Sequence, residues 1–308
     1  MDFGPHLLLA MLEGLVQASV LTLTALGLSL VFGVMRVVNV AHGEFFMLGA
    51  VLAWWITFLV GGPPALAFIV ALLVAPLLVG TIAAAADWLV LRRIDYDPER
   101  TIVATIGLLY IIQQLTLMSY GPDARPVAPP FNTRLALPWF EFGSGGVQIY
   151  WPWGLSITSY KLFVIFAALL TGLALWAVMA RSRLGLILRA TQQDRETAQA
   201  FGVPVERVYA LVFGLGAALA ALGATLVVPI QQAHYLMGGD PLLLSFIVVI
   251  IGGLGSLRGT VVAAILIGMS DGIISVFFSP TLAKMLATLL VAMVLVFRPQ
   301  GLFGSKPA

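Results

Sequence analysis

The sequence contains no cysteine and very little charge. Lys, Arg, Asp and Glu make up 10% of its 308 residues, whereas 60% are hydrophobic, and the mean hydropathy is +1.03. Soluble domains are about 45–50% apolar, so a protein with so few charges must be covered by lipid rather than by water. The lack of cysteine excludes disulfides, reactive thiolates and iron–sulfur ligation. We therefore expect an integral membrane protein.

Residues typical of catalytic and metal sites are also scarce. The three histidines, His6, His42 and His234, are far apart and have no metal-ligand spacing. None of the lysines follows a glycine, so the chain has no phosphate-binding loop of the G-x-x-x-x-G-K-[ST] type. No nucleophile–base pair stands at a recognisable spacing, and no basic run suggests nucleic acid. The sequence predicts neither an enzyme nor a metal site, and no cofactor bound by this chain.

Long apolar runs fill most of the chain. A membrane-crossing helix needs about 20 apolar residues, and windows close to that length lie at about 7–34, 43–60, 65–91, 101–120, 160–180, 208–230, 242–257, 259–279 and 281–297. The windows 242–257 and 259–279 could also form one span and one re-entrant segment. We predict an all-α, polytopic transmembrane helix bundle of about eight or nine crossings with broken or re-entrant helices. It forms a single membrane domain over residues 1–308.

Basic residues are distributed unequally between the loops. If the N-terminus is outside, the cytoplasmic side holds twelve of them: Arg36, Arg92, Arg93, Arg100, Arg181, Arg183, Arg189, Arg195, Arg207, Arg258, Arg298 and Lys306. The other side holds Arg125, Arg134, Lys161 and Lys284. Because cytoplasmic loops carry the excess of Lys and Arg, we predict an external N-terminus and a cytoplasmic C-terminus.

The segment 121–159 is rich in proline and tryptophan. Its prolines and tryptophans are Pro122, Pro126, Pro129, Pro130, Pro138, Trp139, Trp151, Pro152 and Trp153. Tryptophans near a membrane surface are usually interface anchors rather than ligand contacts. We predict an ordered extracytoplasmic loop with a short hairpin near the sequence VQIYW.

The stretch 27–50 interrupts the apolar sequence with polar residues. Arg36, Asn39, His42 and Glu44 fall within nine residues. A charged group at membrane depth costs about 2.5–3.5 kcal/mol and usually faces a bundle interior or an aqueous path. Since broken helices are typical of transport proteins, Asn39, His42 and Glu44 are candidates for a substrate pathway. The alternatives are a solvated surface loop, a satisfied interior His42, and a Glu44 that only caps the second span through the helix dipole.

A second break, late in the chain, consists of glycines. Gly252, Gly253 and Gly255 have no side chains to cover their backbone amides and carbonyls, which could therefore contact a substrate. We include these three glycines in the predicted pathway. Close helix packing through small residues is the alternative.

Polar residues also occur inside two spans. Glu13, Gln17 and Thr24 share one face of the first span, which must therefore face either protein or the pathway. Asp271 lies about midway along the eighth span and needs a polar partner.

The segment 181–207 is predicted to be a cytoplasmic loop that contains a short helix. Thr191 and Asp194 stand at capping-box spacing, and Gly202 followed by Pro204 is a helix stop signal. These signals predict a helix over about 191–201, with Ala198 and Phe201 on a small apolar face. Such a helix is either a connector that rests on its own bundle or a docking helix for a cytoplasmic partner.

The loop resembles the "EAA…G" loop of ABC importer permeases. Glu196, Ala198 and Gly202 have its spacing, whereas Thr197 replaces the first alanine and the later I-x-L-P part is absent. The resemblance implies that Asp194, Glu196, Ala198 and Gly202 couple the permease to an ATPase subunit.

Four other stretches resemble the high-affinity branched-chain amino-acid ABC permeases. They are FGVMRVVNVAHGEFFMLGA at 32–50, ATIGLLYIIQQ at 104–114, SFIVVIIGGLGSLRGTVVAAILIG at 245–268 and FRPQGLFG at 297–304. Their order and spacing agree with that family along nearly the whole chain. One departure is Ser245, which stands where we expect a lysine in the family.

The resemblance implies a permease subunit in a prokaryotic cytoplasmic membrane. Its partners would be a second permease subunit, identical or different, two cytoplasmic ATPase subunits that bind ATP and Mg, and an extracytoplasmic binding protein. The substrates would be branched-chain amino acids or related small amides, or urea. The alternative function is a secondary, proton-coupled carrier with Glu13, Glu44 and Asp271 as titrating sites.

Overall fold

The structure is a computed structural model that describes residues 3–143, 146–150, 156–298 and 300–303. Its helices are α1 Phe3–Met35, α2 His42–Val60, α3 Pro64–Leu89, α4 Pro98–Tyr120, α5 Ser159–Arg181, α6 Arg183–Gln193, α7 Arg195–Ala200, α8 Val205–Val227, α9 Gly239–Gly252, α10 Leu257–Phe277 and α11 Pro280–Phe297. A 3-10 turn at Leu91–Ile94 joins α3 to α4. The strands are β1 Arg134–Ala136, β2 Trp139–Gly143, β3 Gly146–Tyr150 and β4 Ser156–Thr158.

Within these residues, seven helices are long and apolar enough to cross a membrane: α1, α2, α3, α4, α5, α8 and α10. The prediction of a polytopic helical bundle is therefore confirmed. The count is lower than the eight or nine crossings expected, because α9 and α11 are shorter. With a rise of about 1.5 Å per residue, the 14 residues of α9 span about 21 Å, less than the roughly 30 Å of a bilayer core.

The first helix is the central element of the bundle and packs through small residues. A Cβ built on Gly272 of α10 would lie 2.2 Å from the Cα of Gly14, and one on Gly268 would lie 2.4 Å from the Cα of Ala18. Further along the same contact, the Thr260 hydroxyl donates to Ser29 Oγ at 2.9 Å. Such close backbone approach is how helices associate where lipid removes the hydrophobic driving force.

The strands lie together at one end of the bundle, which we call the hairpin end. Strands β2 and β3 pair antiparallel and confirm the hairpin predicted near VQIYW, and β1 pairs with β4. Arg125 pairs by backbone hydrogen bonds with Ala233 in the segment that follows α8. Its guanidinium stacks over Trp54, 4.4 Å from the ring centre. Trp151, Pro152, Trp153, Pro299, Gly304 and Lys306 lie outside the described residues.

The opposite end carries the amphipathic helices α6 and α7, and we call it the short-helix end. Arg36, which follows α1, donates to the Gln192 carbonyl of α6 at 3.2 Å. The α6–α7 pair is thus attached to the bundle next to the first break in the chain.

Candidate transport site

The second helix begins inside the bundle rather than at its surface. Residues 36–41 leave the end of α1 without helical structure, and α2 then starts at His42. The His42 ring nitrogen Nε2 lies 2.9 Å from the Thr24 carbonyl. A Cβ on Gly27 would lie 2.3 Å from the carbonyl oxygen of Gly216, the central residue of α8, and 3.2 Å from the His42 ring. The second helix therefore starts beside the midpoint of α8.

The returning segment is held by hydrogen bonds to polar side chains. The Asn39 side-chain oxygen accepts from the Ala41 amide at 3.1 Å, and the Val40 amide donates to Thr105 Oγ1 at 3.2 Å. Asn39 is only 1% exposed. Because buried backbone groups must be paired, these contacts allow non-helical backbone at membrane depth.

The ninth helix also starts inside the bundle, and its first residues meet those of α2. A Cβ on Gly43 would lie 2.4 Å from the Gly238 carbonyl oxygen, and one on Gly238 would lie 2.3 Å from the Gly43 carbonyl oxygen. Two helix N-termini, each with a partial positive charge, therefore meet at this contact. Half-helices that start inside the membrane commonly form substrate sites in transporters.

Glu44 lies in the first turn of α2 and is buried. Its Oε2 atom, and likewise Nδ1 of His42, has no hydrogen-bond partner among the described residues. Neither residue borders the cavity described next. Their assignment to the pathway stays a prediction, as does the capping alternative for Glu44.

A cavity of about 490 Å³ lies between the two half-helices and the hairpin end. Ligand pockets commonly occupy about 300–1,000 Å³. Its polar lining includes Glu13, Gln17, Thr24, Gln231, His234, Asp240, Asp271, Ser275 and Lys284. Its apolar lining includes Val16, Val20, Leu21, Phe46, Val227, Ile230, Leu236, Met237, Leu244, Ile267 and Val276. The polar face of the first span, Glu13, Gln17 and Thr24, thus faces this cavity, which we call the hairpin-end cavity.

The charged residues around this cavity are mostly paired. Glu13 forms a salt bridge with Lys161 at the start of α5. Asp240 forms one with Lys284 of α11, with 2.5 Å between the charged atoms. Asp271 is half-buried, and the charge of Lys284 and the polar side chain of Gln17 act on it. Lys284 and Gln17 are thus the polar neighbours that the sequence left open for Asp271.

The late glycines form a tight turn between α9 and α10, away from the cavity. Gly253 and Gly255 have positive φ angles of 101° and 79°, which are readily adopted only by glycine. A Cβ on Gly255 would lie 2.9 Å from the Cα of Gly33 in α1. The segments 32–50 and 245–268 therefore meet, and they do so near the short-helix end. Gly252, Gly253 and Gly255 do not line the cavity, and their place in the pathway remains a prediction.

The chain after α11 returns to this turn. The amides of Leu302 and Phe303 donate to the carbonyls of Ile251 and Gly252 at 2.7 and 3.2 Å. These carbonyls belong to the last turn of α9, where a helix leaves acceptors unpaired. The described part of the FRPQGLFG stretch therefore caps α9.

The segment 191–201 differs from its prediction. It contains the end of α6 and the whole of α7, with a break at Asp194. The capping box with Thr191 as N-cap is wrong, because Thr191 is a buried residue of α6 whose hydroxyl donates to the Ile187 carbonyl. Asp194 has the extended backbone of an N-cap and accepts from the Thr197 amide at 3.1 Å and the Thr197 hydroxyl at 2.5 Å.

These hydrogen bonds from Thr197 lower the pKa of the Asp194 carboxyl below its ordinary value. A lowered pKa means that the cap is present in full at neutral pH and is lost only as the pH falls through that lowered value. The start of α7 is therefore insensitive to physiological changes of pH.

The end of α7 agrees with its prediction. Gly202 has a φ of 84°, its amide donates to the Gln199 carbonyl, and the Val203 amide donates to the Ala198 carbonyl. This is a left-handed C-cap of the Schellman type. Ala198 is buried against the bundle, whereas Phe201 is 85% exposed. The expected apolar face of Ala198 and Phe201 is thus divided between the bundle and solvent.

An aromatic cluster joins α7 to the rest of the short-helix end. The Arg195 guanidinium lies 5.7 Å from the ring centre of Tyr96 and 5.5 Å from that of Tyr209. The two rings pack edge to face at 4.7 Å. Burial raises the pKa of the Tyr96 hydroxyl, which donates to the Asp87 carboxylate at 3.3 Å. Movement of α7 would therefore displace side chains of α3, of the loop before α4, and of α8.

These features define a multi-pass membrane transport protein: two helices that start inside the bundle, a cavity at one end and short amphipathic helices at the other. The chain belongs to the family described as branched-chain amino acid transport system, permease component, whose model matches residues 10–297. This confirms the resemblance drawn from the sequence.

Two relatives that match nearly the whole chain carry the same description as this family, and a more distant one is a sugar permease. The chain is 27% identical to the high-affinity branched-chain amino acid transport system permease protein BraD of Pseudomonas aeruginosa, over 97% of this chain and 96% of BraD. It is 28% identical to the permease protein LivH of the same kind of system in Escherichia coli K12, over 97% and 96%. It is 21% identical to the ribose import permease protein RbsC of Haemophilus influenzae, over 75% and 68%. No solved structure matches the chain.

Proposed function

We propose that this chain is the membrane-spanning subunit of an ATP-driven importer of branched-chain amino acids or related small amides. The observation that carries the proposal is the family match over residues 10–297, together with full-length relatives named as high-affinity branched-chain permeases. The chain itself acts as a transport subunit and not as an enzyme, with ATP and Mg bound by separate ATPase chains.

The distribution of basic residues supports an orientation in a prokaryotic cytoplasmic membrane. The short-helix end carries eleven arginines: Arg36, Arg92, Arg93, Arg100, Arg181, Arg183, Arg189, Arg195, Arg207, Arg258 and Arg298. The hairpin end carries Arg125, Arg134, Lys161 and Lys284. By the positive-inside rule, the short-helix end faces the cytoplasm, with the N-terminus outside and the C-terminus inside.

In this orientation, the short-helix end and the hairpin end of the bundle face different partner proteins. Helices α6 and α7 dock on the ATPase pair. This region includes Asp194, Glu196, Ala198, Gly202 and the exposed Phe201. The hairpin end receives the extracytoplasmic binding protein, and a second permease subunit, identical or related, lies beside this one in the lipid. Nothing in the charge pattern favours nucleic acid as a partner.

The hairpin-end cavity supports an aliphatic amino acid as the substrate. Its apolar wall is made mostly of branched aliphatic side chains together with Phe46, and its polar groups come from α1, α10, the start of α9, the segment before it and Lys284 of α11. An apolar wall with a few convergent polar groups is the usual form of a small-molecule site. In the proposed orientation, substrate released by the binding protein meets this cavity first.

Uptake by reconstituted complexes tests this proposal. Proteoliposomes that contain both permeases and the ATPase pair should accumulate leucine only with ATP at the ATPase face and the binding protein on the other side. An imposed proton gradient without ATP should give no accumulation. Accumulation driven by the proton gradient alone would establish the secondary carrier instead.

A further inference from the structure

One carboxylate of the hairpin-end cavity is not part of an ion pair. Of the three acidic side chains that line the cavity, Glu13 is bound by Lys161 and Asp240 by Lys284. Asp271 lines the same cavity and belongs to neither salt bridge. The charge of Lys284 and the side chain of Gln17 both act on it. Among the described residues, Asp271 is therefore the one acidic side chain of the cavity without a direct salt bridge.

The position of Asp271 makes this charge unusual. It lies in α10, opposite α1, where helix contacts are formed by Gly268 and Gly272 on either side of it in sequence. A carboxylate at membrane depth is costly unless it is paired or serves a ligand. Packing does not require it, because the neighbouring glycines make the close contacts with α1.

We propose that the Asp271 carboxylate, which lines the hairpin-end cavity together with Gln17, binds the ammonium group of the transported amino acid there. This inference rests on the proposed importer function and specifies its substrate class. A hydrogen bond between two charged groups is about twice as strong as one between neutral groups. Neutral amides and urea carry no ammonium, so Asp271 selects amino acids over them.

The remainder of the cavity suits the other parts of such a substrate. Val20, Leu21 and Ile267 give an aliphatic wall near Asp271 for a branched side chain. Lys284, already paired with Asp240, is partly exposed and can exchange that carboxylate for the carboxylate of the substrate. The competing explanation is that Asp271 only balances the charge of Lys284 from a distance.

Substitution of Asp271 separates these explanations. In the complete proteoliposome system, Asp271→Asn should lower initial leucine uptake by about tenfold to a hundredfold, the range of a lost charge-assisted hydrogen bond. Asp271→Glu keeps the charge and should retain several times more uptake than Asp271→Asn. Glu99→Gln is the matched control, because it removes an exposed carboxylate at the start of α4, outside the cavity and outside α6 and α7, and its uptake should stay within twofold of wild type.

A second measurement detects the ammonium subsite itself. An excess of 3-methylbutylammonium should inhibit leucine uptake by the wild type more strongly than 4-methylpentanoate does, and this difference should vanish in Asp271→Asn. The same binding protein is used throughout, so a difference between variants belongs to the permease.

Each outcome decides the question. Uptake by Asp271→Asn within twofold of wild type, at equal amounts of complex, would overturn the proposal. If Asp271→Asn does not assemble, Asp271→Ser takes its place, because it also removes the carboxylate, and the proposal is wrong if the ammonium analogue inhibits Asp271→Ser as strongly as wild type. If wild-type complexes fail to transport leucine at all, it is the importer function that fails.

Discussion

Replacement of Gly238 by alanine should prevent formation of a stable permease. The added Cβ would lie 2.3 Å from the Gly43 carbonyl oxygen. That oxygen is backbone at the start of α2, and the Cβ is held in place by the backbone at the start of α9. Neither can rotate away as a side chain would. We expect destabilisation of about 3 kcal/mol, the upper part of the range for overpacked sites, measured as a loss of thermal stability in detergent.

The next residue gives the matched control. A Cβ on Gly239 would have no atom within 4 Å, and Gly239 is the first residue of α9. Gly239→Ala should therefore be neutral or stabilising by up to about 1 kcal/mol through its effect on the unfolded chain. Equal stability of the two alanine variants would show that the half-helices do not meet as described.

Replacement of Phe201 by alanine should largely abolish association with the ATPase subunits. Phe201 is 85% exposed at the end of α7, outside the apolar spans, and its backbone is fixed by the C-cap at Gly202. Burial of a phenylalanine side chain contributes about 1.5–3 kcal/mol, and aromatic anchors dominate many interfaces. We expect the affinity for the ATPase to fall by about tenfold to a hundredfold, measured by co-purification and titration.

Phe166 provides the comparison for this experiment. It is 63% exposed, yet it lies within the apolar helix α5, where lipid covers it. Phe166→Ala should keep wild-type association with the ATPase. If Phe201→Ala also keeps it, while the variant remains folded, the docking role of α7 is wrong.

The sequence predicted the helices better than the site. Hydropathy alone located the windows 101–120 and 160–180 that became α4 and α5, because lipid imposes one simple requirement on every span. Gly202 was identifiable because few residues other than glycine end a helix in a left-handed conformation. The N-cap was predicted at Thr191 but lies at Asp194. Both residue types can cap a helix, and their spacing in the sequence does not show which of the two has the non-helical backbone.

The cavity could not be predicted, because it depends on where α2 and α9 begin. Hydropathy shows that a span exists but not that it starts beside the midpoint of α8. His234 lies in the segment between α8 and α9, Asp240 in the first turn of α9, and Lys284 near the start of α11. These residues reach the polar face of α1 only through the tertiary fold. The polar residues Gln231, Gln232, His234 and Asp240 in the segment 228–240 are the signal that points to part of this lining.

We predict that the transport path runs from the hairpin-end cavity to the returning segment 36–41. The chain has no cysteine, so single cysteines at Ser275, which lines the cavity, and Asn39, which is buried in that segment, give a clean signal. Asp123→Cys, on an exposed part of the hairpin end, serves as a site that should react in every state.

The most direct measurement is the rate at which a small polar thiol reagent modifies these cysteines in the nucleotide-free and the ATP-trapped complex. The account predicts that the rates at Ser275→Cys and Asn39→Cys change severalfold between the two states, in opposite directions, while Asp123→Cys is unchanged. Unchanged rates at both sites, or protection of both in every state, would contradict it.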